Sequence, residues 1–167
     1  AEIINTYTSP LYIPQDGVVN VFGGTITGAA SAIAIKSGTL NISGGTLRAP
    51  GPATIPTAGF SDGVNGSGCA IQIESNDAFS GNIVVNITGG TITSVNGYAL
   101  YEYLDSGNAD TEVTSISISG GSFHSSVDVD SDILISSQLA AEPAKLSITG
   151  GIFSKSGSTD VSADVDP

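Results

Sequence analysis

A nine-residue pattern returns five times along the chain and sets the terms for everything between its copies. The copies are Val18–Ile26 (VVNVFGGTI), Thr39–Leu47 (TLNISGGTL), Val84–Ile92 (VVNITGGTI), Ser115–Phe123 (SISISGGSF) and Lys145–Phe153 (KLSITGGIF). Aligned on the first glycine of each pair (Gly23, Gly44, Gly89, Gly120, Gly150), the positions four and two before it and three after it are always apolar. This gives fifteen candidate core residues: Val19, Val21, Ile26; Leu40, Ile42, Leu47; Val85, Ile87, Ile92; Ile116, Ile118, Phe123; Leu146, Ile148, Phe153. Polar residues alternate with them, Asn20, Asn41, Asn86, Ser117 and Ser147 in one column and Thr25, Thr46, Thr91 and Ser122 in another. Alternation with period two marks a strand buried on one face. A glycine pair inside such a strand predicts a bend or bulge whose torsions a Cβ would forbid.

The glycine pairs are separated by 21, 45, 31 and 30 residues, and a motif returning at such intervals is the mark of a solenoid. No copy can bury its inward residues alone, so neighbouring copies must stack into one core. A second, weaker apolar segment falls between the pairs: Ala32-Ile33-Ala34-Ile35, Ala70-Ile71-Gln72-Ile73, Ala99-Leu100-Tyr101 and Ile133-Leu134-Ile135. Leu11-Tyr12-Ile13 precedes the first pair at almost the same distance. The expected fold is all-β, a single-stranded right-handed parallel β-helix of about five coils plus a partial N-terminal coil. It forms one domain over residues 1–167, with the partial coil at 1–17, the coils at 18–153 and a tail or linker at 154–167. Excursions leave this array at Ala49–Gly68, which carries Pro50, Pro52 and Pro56, at Asp105–Val113 and at Ser125–Asp132. At the far end, either Val161 and Val165 fold back over the last coil or the natural protein continues.

Charge narrows the partners. Four Lys and Arg against sixteen Asp and Glu leave a net charge of −12, which repels phosphate backbones and anionic lipid. No apolar run approaches the ~18 residues of a spanning helix, so membrane insertion is not expected. Cys69 is the single cysteine, excludes an intrachain disulfide, and beside Ala70 and Ile71 is expected to be a small core residue. The low charged fraction, 12%, with abundant Gly, Ser, Thr, Asn and Ala, points to a secreted or cell-surface protein. The absence of any Met suggests a processed protein or an excised fragment, with further domains of the same chain as partners.

The GGTI, GGTL, GGSF and GGIF copies, each behind an alternating Asn/Ser and Ile/Val strand, resemble the Gly-Gly-Thr-Phe-type repeats of surface proteins from gut-dwelling Gram-positive bacteria. They are also similar to the pectate-lyase-like, carbohydrate-binding β-helix domains of cellulolytic clostridia. The likeness runs from about Leu11 to Phe153 and carries coil geometry, not a ligand set. It implies a wall-associated, saccharide-binding or adhesive module.

Two groups of residues are candidates for binding. Tyr98, Tyr101 and Tyr103, interleaved with Glu102 and followed by Asp105, combine rings on which sugar faces can stack with carboxylates that accept from hydroxyls. Their alternative is core: aligning Leu100 with Ile33 and Ile71 buries Glu102, whereas turning the tyrosines inward exposes it. Asp128, Asp130 and Asp132 alternate with Val127, Val129 and Ile133 and are candidate Ca²⁺ ligands. On a straight strand, alternate carboxylates stand about 6.6 Å apart, so a Ca²⁺ site needs a bend or acids from a neighbouring coil such as Asp105, Asp110 or Glu112. A solvated acidic edge is the other reading.

The expected function is therefore a non-catalytic, extracellular carbohydrate-binding or adhesive module, with a polysaccharide or glycan as partner and Ca²⁺ as a possible cofactor. A pectate-lyase-type lyase or hydrolase is the enzyme alternative, and a structural spacer is the inert one. Lyase chemistry needs a base, drawn here from Arg48, Lys36, Lys145 and Lys155. Arg48 falls between Thr27 and Thr93, with His124 next, in a column without a carboxylate. The Thr-x-Thr pairs Thr25/Thr27 and Thr91/Thr93 suggest an ice-binding ladder, which Arg48 interrupts.

The register is open to test. Ile87→Asp is expected to unfold the middle of the array in a thermal melt, since an unpaired buried carboxylate costs several kcal/mol. Replacing Asn86 is expected to do far less, and equal tolerance at both positions would overturn the register.

Overall fold

A computed structural model describes residues 1–52, 68–75, 79–104, 111–155 and 159–161. The first half carries β1 (Glu2–Asn5), β2 (Leu11–Ile13), β3 (Val18–Val21), β4 (Thr25–Gly28), β5 (Ile33–Ile35), β6 (Gly38–Ile42) and β7 (Thr46–Ala49). Then follow β8 (Ile71–Ser75), β9 (Gly81–Ser94), β10 (Leu100–Leu104), β11 (Thr111–His124) and β12 (Ile133–Ile135). A short helix α1 (Ser137–Ala141) precedes β13 (Leu146–Ile148), β14 (Ile152–Phe153) and β15 (Thr159–Val161). The protein is all-β and every strand pairing described is parallel, an arrangement compatible with a parallel β-helix.

Two sheets result. Sheet A holds nine strands in two tracks: β3, β6, β9, β11 and β13 before the glycine pair, and β1, β4, β7, β9, β11 and β14 after it. The long strands β9 and β11 run through both tracks and join them. Sheet B is the between-pair segment repeated, in the order β15-β12-β10-β8-β5-β2. Its register places Leu11, Ile33, Ile71, Leu100 and Ile133 in one column, as the apolar spacing predicts.

The fifteen repeat positions share one hydrophobic core with Ile33, Ile35, Ile71, Ile73, Ile133 and Ile135 of sheet B. Copies in the middle of the array are fully buried there, whereas Val19 at one end and Leu146, Ile148 and Phe153 at the other are only partly covered. An inward side chain needs a neighbour on each side, and the end copies have one. Phe153 keeps much of its contact by stacking on Phe123, ring centroids 4.9 Å apart and planes 11° from parallel.

The two glycines of each pair are required for different reasons. The second adopts a positive φ in every copy, 89° at Gly24, 94° at Gly45, 97° at Gly90, 98° at Gly121 and 115° at Gly151, where a side chain is strained. The first lies under a carbonyl of the preceding copy: a Cβ on Gly44 would stand 2.6 Å from the Phe22 oxygen and one on Gly89 2.5 Å from that of Ser43. Gly120 and Gly150 are crowded in the same way by Thr88 and Ser119. At Gly23, in the first copy, a Cβ would meet nothing within 4 Å. Gly89→Ala is therefore expected to lower stability by about 1–3 kcal/mol, since backbone has to shift to admit the methyl group. In a denaturant titration Gly23→Ala should be nearly silent, and equal losses at the two sites would show that the carbonyl contact is not what demands glycine.

Candidate functional site

The two sheets differ in what their outer faces meet. Along sheet A the outward columns are mostly polar and partly exposed, with Val18, Val84 and Ile152 as the apolar members. Thr25, Thr46, Thr91 and Ser122 stand in register, as do Thr27, Arg48, Thr93 and His124, with Arg48 and His124 exposed. Asn20, Asn41 and Asn86 form a ladder in which the Asn41 amide donates to the Asn20 side-chain oxygen at 2.9 Å and Asn86 to Asn41 at 2.9 Å. Parallel in-register pairing brings identical amides to successive levels, so each can satisfy the next. Ser117 and Ser147 continue the column.

On the middle strands of sheet B, β5, β8, β10 and β12, both faces are buried, whereas Tyr12 of β2 is exposed. The column alternate to the inward isoleucines runs Ala34, Gln72, Tyr101, Leu134, all closed to solvent. The phase left open by the sequence is resolved: Leu100 registers on Ile71 and Glu102 on Ile73, which puts Tyr101 and Tyr103 on the opposite face. Tyr101 and Tyr103 are 2% and 5% exposed and stack with centroids 5.0 Å apart at 18°. Tyr98, half-buried, packs against them with centroids 6.5 Å from Tyr101, and Cys69 and Leu134 complete the cluster. The Tyr103 hydroxyl accepts from Gln72 Nε2 at 3.2 Å. Tyr101 and Tyr103 are thus closed off from solvent. Burial pushes the Tyr101 phenol well above its usual range and the Cys69 thiol up to about 12, so Cys69 is an inert packing residue.

Four buried ionisable side chains lie outside what the repeat predicts. Lys36 Nζ pairs with the Glu74 carboxylate, both 1% exposed, and sits 5.5 Å from the Phe79 ring centroid. These two residues follow Ile35 and Ile73 at matched positions of adjacent strands, so their opposite charges were a usable signal. Glu102 takes a position on which Ile73 registers, and its carboxylate accepts from the Ser136 backbone N–H at 2.8 Å and from the Ser136 hydroxyl at 2.9 Å. Ser136 in turn caps α1 by accepting from Leu139 N. Asp132, buried, precedes Ile133 where Ala32, Ala70 and Ala99 precede their own column members. It accepts from Ser125 N and Ser154 Oγ, both at 2.8 Å, and from Lys155 N at 2.9 Å.

The acidic run is consequently divided. Residues 126–132, part of the excursion at Ser125–Asp132, run through a turn and bends and form no strand, with Val127 87% exposed and Asp128 N bound to Ser126 Oγ at 3.2 Å. Asp128 and Asp130 face solvent while Asp132 holds its three backbone and hydroxyl donors. No group of three or more His, Cys, Asp or Glu side chains converges as a metal site among the described residues. Asp105 and Asp110 lie outside the described residues. No protein-family model, curated protein or solved structure matches the chain.

Glu102 gives the site a pH dependence. Burial raises its carboxyl from 4.5 to about 7, the Ser136 hydrogen bonds pulling the other way. Between these values the folded protein holds a proton that the unfolded chain has lost, so stability falls as pH rises across that window. The total loss is about 3 kcal/mol, complete above the folded value. Glu102→Gln should melt like the parent near pH 4.5 and at higher temperature than the parent near pH 8. A parent–variant difference that does not change with pH would overturn this assignment.

Proposed function

We propose that the chain is a right-handed, single-stranded parallel β-helix of about five coils with a partial N-terminal coil, acting as a non-catalytic, secreted or cell-surface module that binds a polysaccharide. The observation that carries this reading is the difference between the sheets: the middle strands of sheet B are covered on both faces, while sheet A leaves rows of Thr, Ser and Asn partly exposed on a parallel scaffold. Hydroxyls and amides recurring at the ~4.8 Å strand spacing suit an extended polymer of hydroxylated units. The asparagine ladder fixes its amides before any ligand arrives, which lowers the ordering cost of binding. A small metabolite would want a concave apolar pocket, and a flat polar sheet is its opposite.

In this reading the tyrosine stack supports sheet B from behind, and the glycan lies along the Thr and Asn rows with Arg48 among them. A net charge of −12 favours a neutral polymer. A polyuronate would need Ca²⁺ to bridge it to exposed carboxylates such as Asp128 and Asp130. The test is retention on immobilised neutral polysaccharides and a glycan array, each with and without Ca²⁺. The parent should be retained by a neutral glycan in both conditions. A Thr46→Val, Thr91→Val double variant, which keeps side-chain shape and removes two hydroxyls, should lose several-fold in retention with its melting curve intact. Tyr101→Phe should bind like the parent. No retention on any glycan would leave the inert spacer, equal retention by the threonine variant would move the site, and new reducing ends would make the protein an enzyme.

A further inference from the structure

The first strand of the repeat track is built for a neighbour on the side where the described structure places none. Among the described strands β3 pairs with β6 alone, leaving its other edge open. Thr39 N and Ser43 N donate to the carbonyls of Gly17 and Val21 one copy earlier, at 2.8 and 2.9 Å. Val18 and Phe22 occupy the matching positions of β3's own copy, so their N–H groups point to the open edge. Their side chains are also out of character for the outward face: Val18 is 65% and Phe22 79% exposed, where the next copy has Thr39 and Ser43. Val19, inward and in register with the fully buried Leu40, is covered from one side only.

Two further features fit the same missing neighbour. Gly23 is a glycine although a Cβ there would meet nothing within 4 Å, whereas Gly44, Gly89, Gly120 and Gly150 each lie against the carbonyl of a preceding copy. Its φ is not in the left-handed range, so backbone torsion does not demand glycine either. Space is kept at Gly23 for a carbonyl oxygen. Asn20 accepts from Asn41 and, among the described residues, passes no amide hydrogen onward, so the ladder ends in a donor aimed at the open edge.

We propose that the open edge of β3 is an acceptor site for one added parallel strand of this repeat's own chemistry, an extended segment alternating apolar with Asn or Ser and ending in a small residue. The interface is the one already formed between β3 and β6, continued by one level: apolar side chains cover Val19, an Asn or Ser oxygen accepts from Asn20, and a main-chain carbonyl fills the space at Gly23. Main-chain hydrogen bonds supply the affinity and the alternating pockets the specificity, as in other strand additions.

The probe is a labelled synthetic peptide with the sequence TLNISG, that of Thr39–Gly44, which stops where Ala1 and β1 already cover Gly24 and β4, followed by fluorescence anisotropy with the whole chain. Saturable binding is expected, with none for a scrambled peptide of the same composition. Gly23→Val should keep the parent's melting curve, since its side chain meets no protein atom at Cβ, and should weaken binding at least about tenfold by filling the carbonyl's place. Val18→Lys, an exposed edge position, provides a second block that does not touch the core. Hydrogen exchange should show new protection over Val18–Val21 in the presence of peptide. Absence of binding, equal affinity for the scrambled peptide, unchanged affinity in both variants, or protection appearing at Leu146–Ile148 instead would each overturn the proposal.

Discussion

A carbonyl oxygen lying against a hydrogen atom fixes this architecture. Where the chain passes from one track of sheet A to the other, the backbone of each copy comes so close to the copy before it that only Gly44, Gly89, Gly120 or Gly150 can occupy the contact. A slip of one residue would carry a side chain into that contact and turn every inward residue outward. Register is therefore held by exclusion at the glycine and by burial along the strands on either side. From it follow the columns, since in-register parallel pairing sets like on like: Leu40 on Val85, Asn41 on Asn86, Thr46 on Thr91.

With the columns fixed, departures from the repeat become interpretable one at a time. Glu102 stands in an isoleucine column and Asp132 in an alanine position, and each is a buried carboxylate supplied with hydrogen-bond donors. The donors come from segments the repeat itself does not specify, Ser136 at the start of α1 and Ser125, Ser154 and Lys155 around the last copies. A buried charge satisfied only by the correct neighbours disfavours alternative packings of the irregular parts, where apolar alternation gives no guidance. The Lys36–Glu74 pair has the same character on the covered face of sheet B, where two adjacent copies carry opposite charges at the position after the second isoleucine.

What could be read from residues alone follows the length of the pattern. Five copies of a nine-residue alternation define the inward columns without ambiguity, and Leu100 aligned with Ile71 already contained the burial of Glu102 as one of two phases. In the segment 126–132 three acids alternate with apolar residues as they would along a strand, but the stretch is too short to outweigh turn chemistry: Ser126 binds Asp128 N, and Val127 is left in water. For the tyrosines, alternation says which residues share a face but not what covers that face. The middle strands of sheet B bury their second face, and no periodicity within a single strand reports that.

The asparagine column has a direction. Asn86 donates to Asn41 and Asn41 to Asn20, so the side-chain amide dipoles add head to tail along the axis on which the copies succeed one another. Antiparallel strands would bring unlike positions together and break such a chain. Each bond polarises the next, so the column is more than its separate contacts, and its central member, the one that both gives and receives, is the one whose conversion to a carboxylate does most harm. Deamidation of Asn41 would replace the donor facing Asn20 with an acceptor, setting two oxygens against each other at one junction. Chemical ageing of a single amide would thereby show itself as a break in a line of dipoles, away from the hydrophobic core and without any change in it.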